Sequence, residues 1–396
     1  MKRLFLFLCL SFIVLGLSSC KGKRAAEINL DEANVDFAAK QYALMTQMIE
    51  DSGKILNPKS FVNGKHKFIP PKEWTSGFFP GSLWYLYELT GDEKWETLAY
   101  KYTQLLDSIQ YFTANHDVGF MINCSYGNGL RLSGNKGYEK VIVQTAKSLI
   151  TRYRPGAGVI QSWNANPKKD WKCPVIIDNM MNLELLFNAT KLSGDSVFYK
   201  IAVSHANKTI KNHYRPDFST WHVVDYDPVD GTVRHKNTHQ GYSDDSAWAR
   251  GQSWGVYGFV VCYRETKDPK YLHQAEKALE FITNHANYPE DGVPYWDLDA
   301  PDIPNTFRDA SAASVLASAL YEISKYSTVK NYRAWADKIM TTLSGPEYRT
   351  KVGENGYFLL MHSVGSLPHN SEVDVPLNYA DYYFLEALIR KRNLIR

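Results

Sequence analysis

The chain has 396 residues, 44% of them hydrophobic and 22% charged, with a formal charge of +3. That is ordinary globular composition, long enough for one large core or two smaller ones. Lys2 and Arg3 supply two of the three charges and no basic block follows, so nothing points to nucleic acid.

Residues 1–20, MKRLFLFLCLSFIVLGLSSC, have a basic start, an apolar stretch and a small-residue end, the pattern of a secretory signal. The stretch is too short, and too abruptly followed by KGKR, for a spanning helix. Its LSSC ending resembles a bacterial lipobox, which makes Cys20 the lipidated first residue of the mature chain; the alternative is an ordinary cleaved signal with a chance cysteine. On this reading 21–34 is a tether and 35–396 a single catalytic domain. The protein then belongs to the bacterial cell envelope as a periplasm-facing lipoprotein, touching the membrane only through its N-terminal lipid. Cys124, Cys173 and Cys262 are odd in number and widely spaced, so they read as buried small residues.

Four segments share a pattern: 86–106, 186–210, 262–282 and 320–343. Each has an apolar helix end, a short polar turn often carrying Gly or Asp, an aromatic residue, then an amphipathic helix. The helices before the turns (82–89, 180–189, 253–263 and 312–323) are apolar on nearly every side and call for full burial. Further helices are expected at 33–50, 138–152 and 377–392. Buried helices alternating with one-faced helices predict an all-α chain, an α/α toroid of six hairpins with six inner and six outer helices.

The returns from outer to inner helix are long: 109–137, 154–177, 212–245, 285–308 and 345–375. In this topology they gather at one end, where function is usually found. They carry His116 and Asp117, Trp163 and Trp171, His222, and His239, Gln240, Trp248 and Arg250, while Trp74 precedes another inner helix. Aromatics make up 14% of the chain, and Trp and Tyr form platforms for ring-shaped ligands. In VIIDNMMNLELLFNA (175–189), Asp178 opens an inner helix. A helix cap explains it, yet the residues before it are apolar, which favours a protonated acid. Asp117 is its candidate partner. His116 and His222 read equally well as structural hydrogen-bonders, and Trp74, Trp163 and Trp248 as core. Two acids, histidines, Gln, Arg and several tryptophans converging on one end suit a carbohydrate site.

WTSGFFPGSLW, NHDVGF, IIDNMMNLELL, HQGYSDDSAWARGQSW and SEVDVPLNYADYYFLEALIR, in that order and spacing, resemble glycoside hydrolase family 88, the unsaturated glucuronyl hydrolases. The resemblance runs from about residue 35 to the C-terminus and implies the same six-hairpin barrel. It implies removal of the non-reducing-end 4,5-unsaturated glucuronyl residue from lyase-generated glycosaminoglycan oligosaccharides. The enol ether is protonated at C4, water adds at C5, and the hemiketal opens. Asp178 then matches the general acid/base and Asp117 the second essential aspartate. By the same matching, Gln240 and His222 bond the unsaturated sugar, Arg250 meets its carboxylate, and Trp74 and Trp163 are stacking walls, with His116 and Trp248 also on the substrate. No metal or organic cofactor is implied. The family's sulfate-discriminating loop has no clear copy here; 361–374 offers Ser363, Ser366 and His369. Three alternatives stand beside this reading: an unsaturated rhamnogalacturonyl hydrolase acting on pectin fragments, a non-catalytic glycan-binding lipoprotein, and an inverting glycosidase on saturated sugars.

Overall fold

The computed structural model describes residues 30–328 and 331–395; the signal and Cys20 lie outside the described residues. Twelve helices alternate along them. Outer helix α1 occupies 30–51 and so reaches back into the segment read as tether. Hairpins follow as inner α2 (Phe78–Thr90) and outer α3 (Glu93–Gln104), then inner α4 (118–133) and outer α5 (Lys136–Ile150). Next come α6 (Leu183–Ser193) with α7 (Ser196–Asn212), α8 (Ala249–Thr266) with α9 (Pro269–Asn284), and α10 (Ala310–Ile323) with α11 (Tyr332–Leu343). Inner α12 (Asn378–Ile395) packs against α10 and α2. Its Lys391 meets Asp31 of α1 at 3.1 Å, so the two ends of the chain complete the sixth hairpin.

One turn chemistry recurs four times. Gly91, Gly134, Gly194 and Lys267 end inner helices in the left-handed conformation. The next residue, Asp92, Asn135, Asp195 or Asp268, accepts the N–H two residues on and starts the outer helix. A left-handed C-cap followed at once by an Asx N-cap reverses the chain in two residues.

The second hairpin departs from the sequence reading. Residues 118–133, read as part of a long return, are inner helix α4, which widens into a π-turn at Asn123–Gly127. Its glycines hide it from a propensity argument, yet they are packing devices. A Cβ on Gly129 would sit 2.6 Å from the Tyr138 ring and 3.0 Å from Trp84, and one on Gly119 would collide with Asn182.

The long returns carry nine strands, all in antiparallel pairs: β1 (Asn57–Val62) with β2 (Lys65–Ile69), β3 (Tyr153–Arg154) with β4 (Val159–Ile160), a three-stranded sheet of β5 (Cys173–Ile176), β6 (Val223–Tyr226) and β7 (Val233–Asn237), and β8 (Ser363–Ser366) with β9 (Ser371–Val375). Along the barrel axis, Phe78, Phe120, Trp254, Tyr379 and Tyr383 pack ring against ring at 5.4–5.9 Å and close the interior behind the returns. Cys124, Cys173 and Cys262 are free and buried. Among the described residues no helix is long and apolar enough to cross a membrane.

Candidate active site

Strand pairing assembles the centre of the site. Ile176 at the end of β5 is opposite Val223 at the start of β6, and Val223 is opposite Asn237 at the end of β7. The residues just beyond these ends, Asp178, His222, His239 and Gln240, are thereby brought to one place. The backbone N–H groups of His239 and Gln240 donate to His222 Nδ1 at 3.0 and 3.1 Å. Nδ1 is therefore the acceptor nitrogen, and the neutral ring carries its proton on Nε2. That Nε2 lies 3.7 Å from Asp178 Oδ2, and both atoms are buried without a hydrogen-bond partner. Burial holds His222 well below its ordinary pKa, so it is neutral.

Asp178 does not cap a helix. It sits inside a two-turn 3-10 helix, Ile177–Asn182, that leads into α6, and no side chain caps either start. Asp117 occupies the N-cap position of α4 and also leaves it uncapped. His116 beside it accepts from Asn182 Nδ2 at 3.4 Å, while Asn182 Oδ1 accepts the Phe120 N–H. The proton of His116 is thus on Nε2, facing Asp117 Oδ1 across 3.2 Å. Burial lowers the His116 pKa to about 3.

Burial, and then the neighbouring charges of Asp178 and Glu73, push Asp117 up to about 8. Burial raises Asp178 to about 7, against the pull of Arg250. Two such acids titrate as one unit, and near neutral pH the pair holds about one proton. It can donate a proton and then accept one, which acid–base catalysis requires.

Aromatic rings wall the acids. Trp74 packs 5.2 Å from Tyr379 and 5.4 Å from Phe120. Trp163 stacks on Trp171 at 5.4 Å and meets His239 edge-on at 5.1 Å. Three residues expected on the substrate are buried and engaged with other protein groups. His116 is 0% exposed and packs against Asp117, its Nε2 3.2 Å from Oδ1 without a hydrogen bond. Trp248 is buried, with its ring 4.6 Å from His222 and 4.7 Å from the Arg250 guanidinium, so it backs those groups. Arg250 spends Nη1 on Asp309 and the Val364 carbonyl and one Nη2 proton on the Gly365 carbonyl. Only its Nε–H, buried and unpartnered, and one Nη2–H remain, so its first task is to clamp β8. Gln240 Nε2 donates to the same Gly365 carbonyl at 3.1 Å. No group of three His, Cys, Asp or Glu among the described residues is arranged to hold a metal ion.

With this geometry in view, the comparisons with known proteins are decisive. The model of Glycosyl Hydrolase Family 88 matches residues 55–389. The chain belongs to this family. It is 45% identical to an unsaturated glucuronyl hydrolase of Formosa agariphila, over 97% of this chain and 98% of that one. It is 33% identical to an unsaturated chondroitin disaccharide hydrolase of Streptococcus agalactiae, over 90% and 87%. Among solved structures, an unsaturated glucuronyl hydrolase specific for heparin superposes with a TM-score of 0.89 at 44% identity, covering 93% of this chain and 98% of that one.

A family 88 chain is a glycosidase with an α/α toroid, and the polar groups of this one are distributed accordingly. Sequence reading passed over two that turn up buried and unpartnered near these groups, Asn179 Oδ1 and Tyr379 OH; the Ser363 hydroxyl on β8, offered by the sequence, is also buried and unpartnered. Tyr379 lies between Trp74 and Arg250, its ring 5.4 Å from the guanidinium. Asn179 and Tyr379 stand within the stretches that carried the resemblance. Their signal was proximity to an acid and an aromatic run, both too common to single them out.

Proposed function

We propose that this protein removes the terminal 4,5-unsaturated glucuronyl residue from glycosaminoglycan oligosaccharides left by a polysaccharide lyase, by hydrating the C4=C5 enol ether. One observation carries the reading: a buried acid pair holding about one proton, with the unpartnered His222 Nε2 and Asp178 Oδ2 facing the same space. Protonating carbon needs an acid still protonated near neutral pH. Asp178 delivers its proton to C4, and positive charge develops at C5 and the ring oxygen. Water adds at C5 and returns a proton to the pair. The hemiketal then opens and releases the shortened sugar. Asp117 holds the shared proton, His222 donates to the sugar, and Trp74 and Trp163 cover its faces. The Arg250 Nε–H and free Nη2–H are offered to the uronate carboxylate.

The solved relative at 44% identity is described as specific for heparin, and the family also includes chondroitin disaccharide hydrolases, so both substrate types are tested. Loss of the ultraviolet absorbance of the C4=C5 bond is followed on lyase-digested heparin and chondroitin, with wild type and Asp178→Asn. Wild type alone should bleach the band. A wild type that leaves both digests intact but bleaches a rhamnogalacturonan-lyase digest would establish the rhamnogalacturonyl alternative. We further propose that Cys20 carries a lipid and holds the enzyme at a bacterial membrane. Metabolic labelling with a fatty acid, lost in Cys20→Ala, is the test.

A further inference from the structure

Among the described residues, five lysines and arginines are less than a tenth exposed: Lys59, Arg152, Arg250, Arg390 and Lys391. Four of them have a carboxylate within 4.0 Å, namely Glu73 and Glu372 at Lys59, Asp309 at Arg250, Glu386 at Arg390 and Asp31 at Lys391. Arg152, just past the end of α5, has none among the described residues. Its donors go to neutral oxygens instead: Nε to Gln161 O at 2.7 Å, Nη1 to Thr113 O at 2.7 Å and Asn164 Oδ1 at 3.1 Å, and Nη2 to Ser162 O at 3.3 Å. A buried cation without a counter-charge is strongly unfavourable.

The acceptors belong to two of the returns that build the site. Thr113 lies four residues before Asp117, and Ser162 and Asn164 flank Trp163. The Ser162 carbonyl also accepts the His116 N–H at 3.2 Å. The charge of Arg152 is felt by Asp117, where it opposes the effect of burial. We propose that Arg152 is a positioning residue of this site, a buried cation without an ion-pair partner that ties the backbone around Asp117 and Trp163 and serves as a counter-charge to Asp117. This rests on the reading of Asp117 and Asp178 as that pair.

The charged and titratable groups around the pair can be enumerated. Asp117 faces Asp178, Glu73 from the segment before α2, His116 from its own return, and Arg152 from the end of α5. Asp178 faces Arg250 and His222. Arg152 itself faces Arg154, Asp117 and Cys173. Neutralising Arg152 removes a positive potential, makes the pair harder to ionise, and moves the alkaline limb of its pH profile upward.

The test is kcat/KM against pH on an unsaturated disaccharide for wild type, Arg152→Lys and Arg152→Gln, with melting temperatures alongside. The Gln variant keeps N–H donors for the carbonyls but has no charge. Its limb should rise, and its kcat at neutral pH should fall about tenfold. The Lys variant keeps the charge, and its limb should stay with wild type while kcat falls through lost hydrogen bonds. A Gln limb that does not move, whatever the melting temperature does, overturns the counter-charge role and leaves a purely structural clamp.

If the Gln variant does not fold, Asn164→Asp decides. It puts a carboxylate on the guanidinium from an exposed position, and its limb should also rise; an unmoved limb again overturns the proposal. Wild type inactive on every unsaturated uronide at every pH would instead overturn the parent reading, and this one with it.

Discussion

Asp117 and Asp178 stand where inner helices begin, a position at which an acid ordinarily caps backbone N–H groups and stays ionised. Neither does so: no cap bond is made, and burial pushes them up to about 8 and about 7. The catalytic pH profile follows. Activity should need one proton on the pair, so kcat/KM should fall above about pH 8 as that proton leaves. It should fall again toward acid as the second proton arrives and no base remains for water. Asp178→Asn should lower kcat by about a thousandfold while the dissociation constant for a substrate fragment changes only a few-fold. Steady-state absorbance decay and calorimetric titration check the two halves. His222 is held neutral with its proton on Nε2, so its contribution is a hydrogen bond and not a charge. His222→Phe should therefore cost about ten- to a hundredfold in kcat/KM with both limbs in place, read from the same pH series; a displaced limb would mean that the ring carries charge.

At the scale of the element, the second hairpin shows what holds the acids in register. Helix α4 approaches the turn before α6 so closely that Gly119 has no room for a Cβ beside Asn182, the residue that orients His116 and holds the Phe120 N–H. Gly119→Ala should destabilise by about 1–3 kcal/mol through overpacking and should lower kcat more than it changes KM, because Asp117 shifts with its helix. A thermal melt and a substrate titration together test this. The same helix shows why part of the fold escaped the sequence. Four other hairpins are legible because their inner helices are apolar on nearly all sides, and in three of them the turn carries Gly–Asp or Lys–Asp. In α4, by contrast, Asn123, Gly127 and Gly129 have the composition of a loop and become helical only through tertiary contact. The site was legible as a list of residues but not as layers. That His116 and Trp248 are buried and engaged with other protein groups, and that Arg250 holds the β8 carbonyls, depends on which strand ends meet. Pairing of β5, β6 and β7 decides that across more than sixty residues of chain, and hydropathy is silent about it.

The two ends of the barrel treat buried polar groups in opposite ways. At the end where the inner helices terminate, a cavity of about 500 Å³ is lined by charged groups that satisfy one another. Glu386 accepts from Tyr85, Tyr257 and Ser318, and Arg264 pairs with Glu184 and Glu265. At the end where the inner helices begin, Asp178, Asn179, His222, Arg250 and Tyr379 each keep an unpartnered buried atom. A fold able to satisfy every charge at one end leaves groups open at the other, so stability should be sacrificed there and recovered when the acids are removed. The sign follows from linkage. Asp178 titrates near 7 when folded and near the ordinary carboxylate value of about 4 when unfolded. The folded state then binds the extra proton between those values. Its stability contribution is complete below about pH 4 and is lost as pH rises through the folded pKa. Asp178→Asn should accordingly melt about 3 °C or more above wild type at pH 8.5, and the gap should close toward pH 5. Calorimetric melts of both proteins across that range measure it. A pH-independent gap would mean that Asn merely packs better, and a gap of the opposite sign would mean that the carboxylate is stabilised in the folded protein and is a poor proton donor at neutral pH.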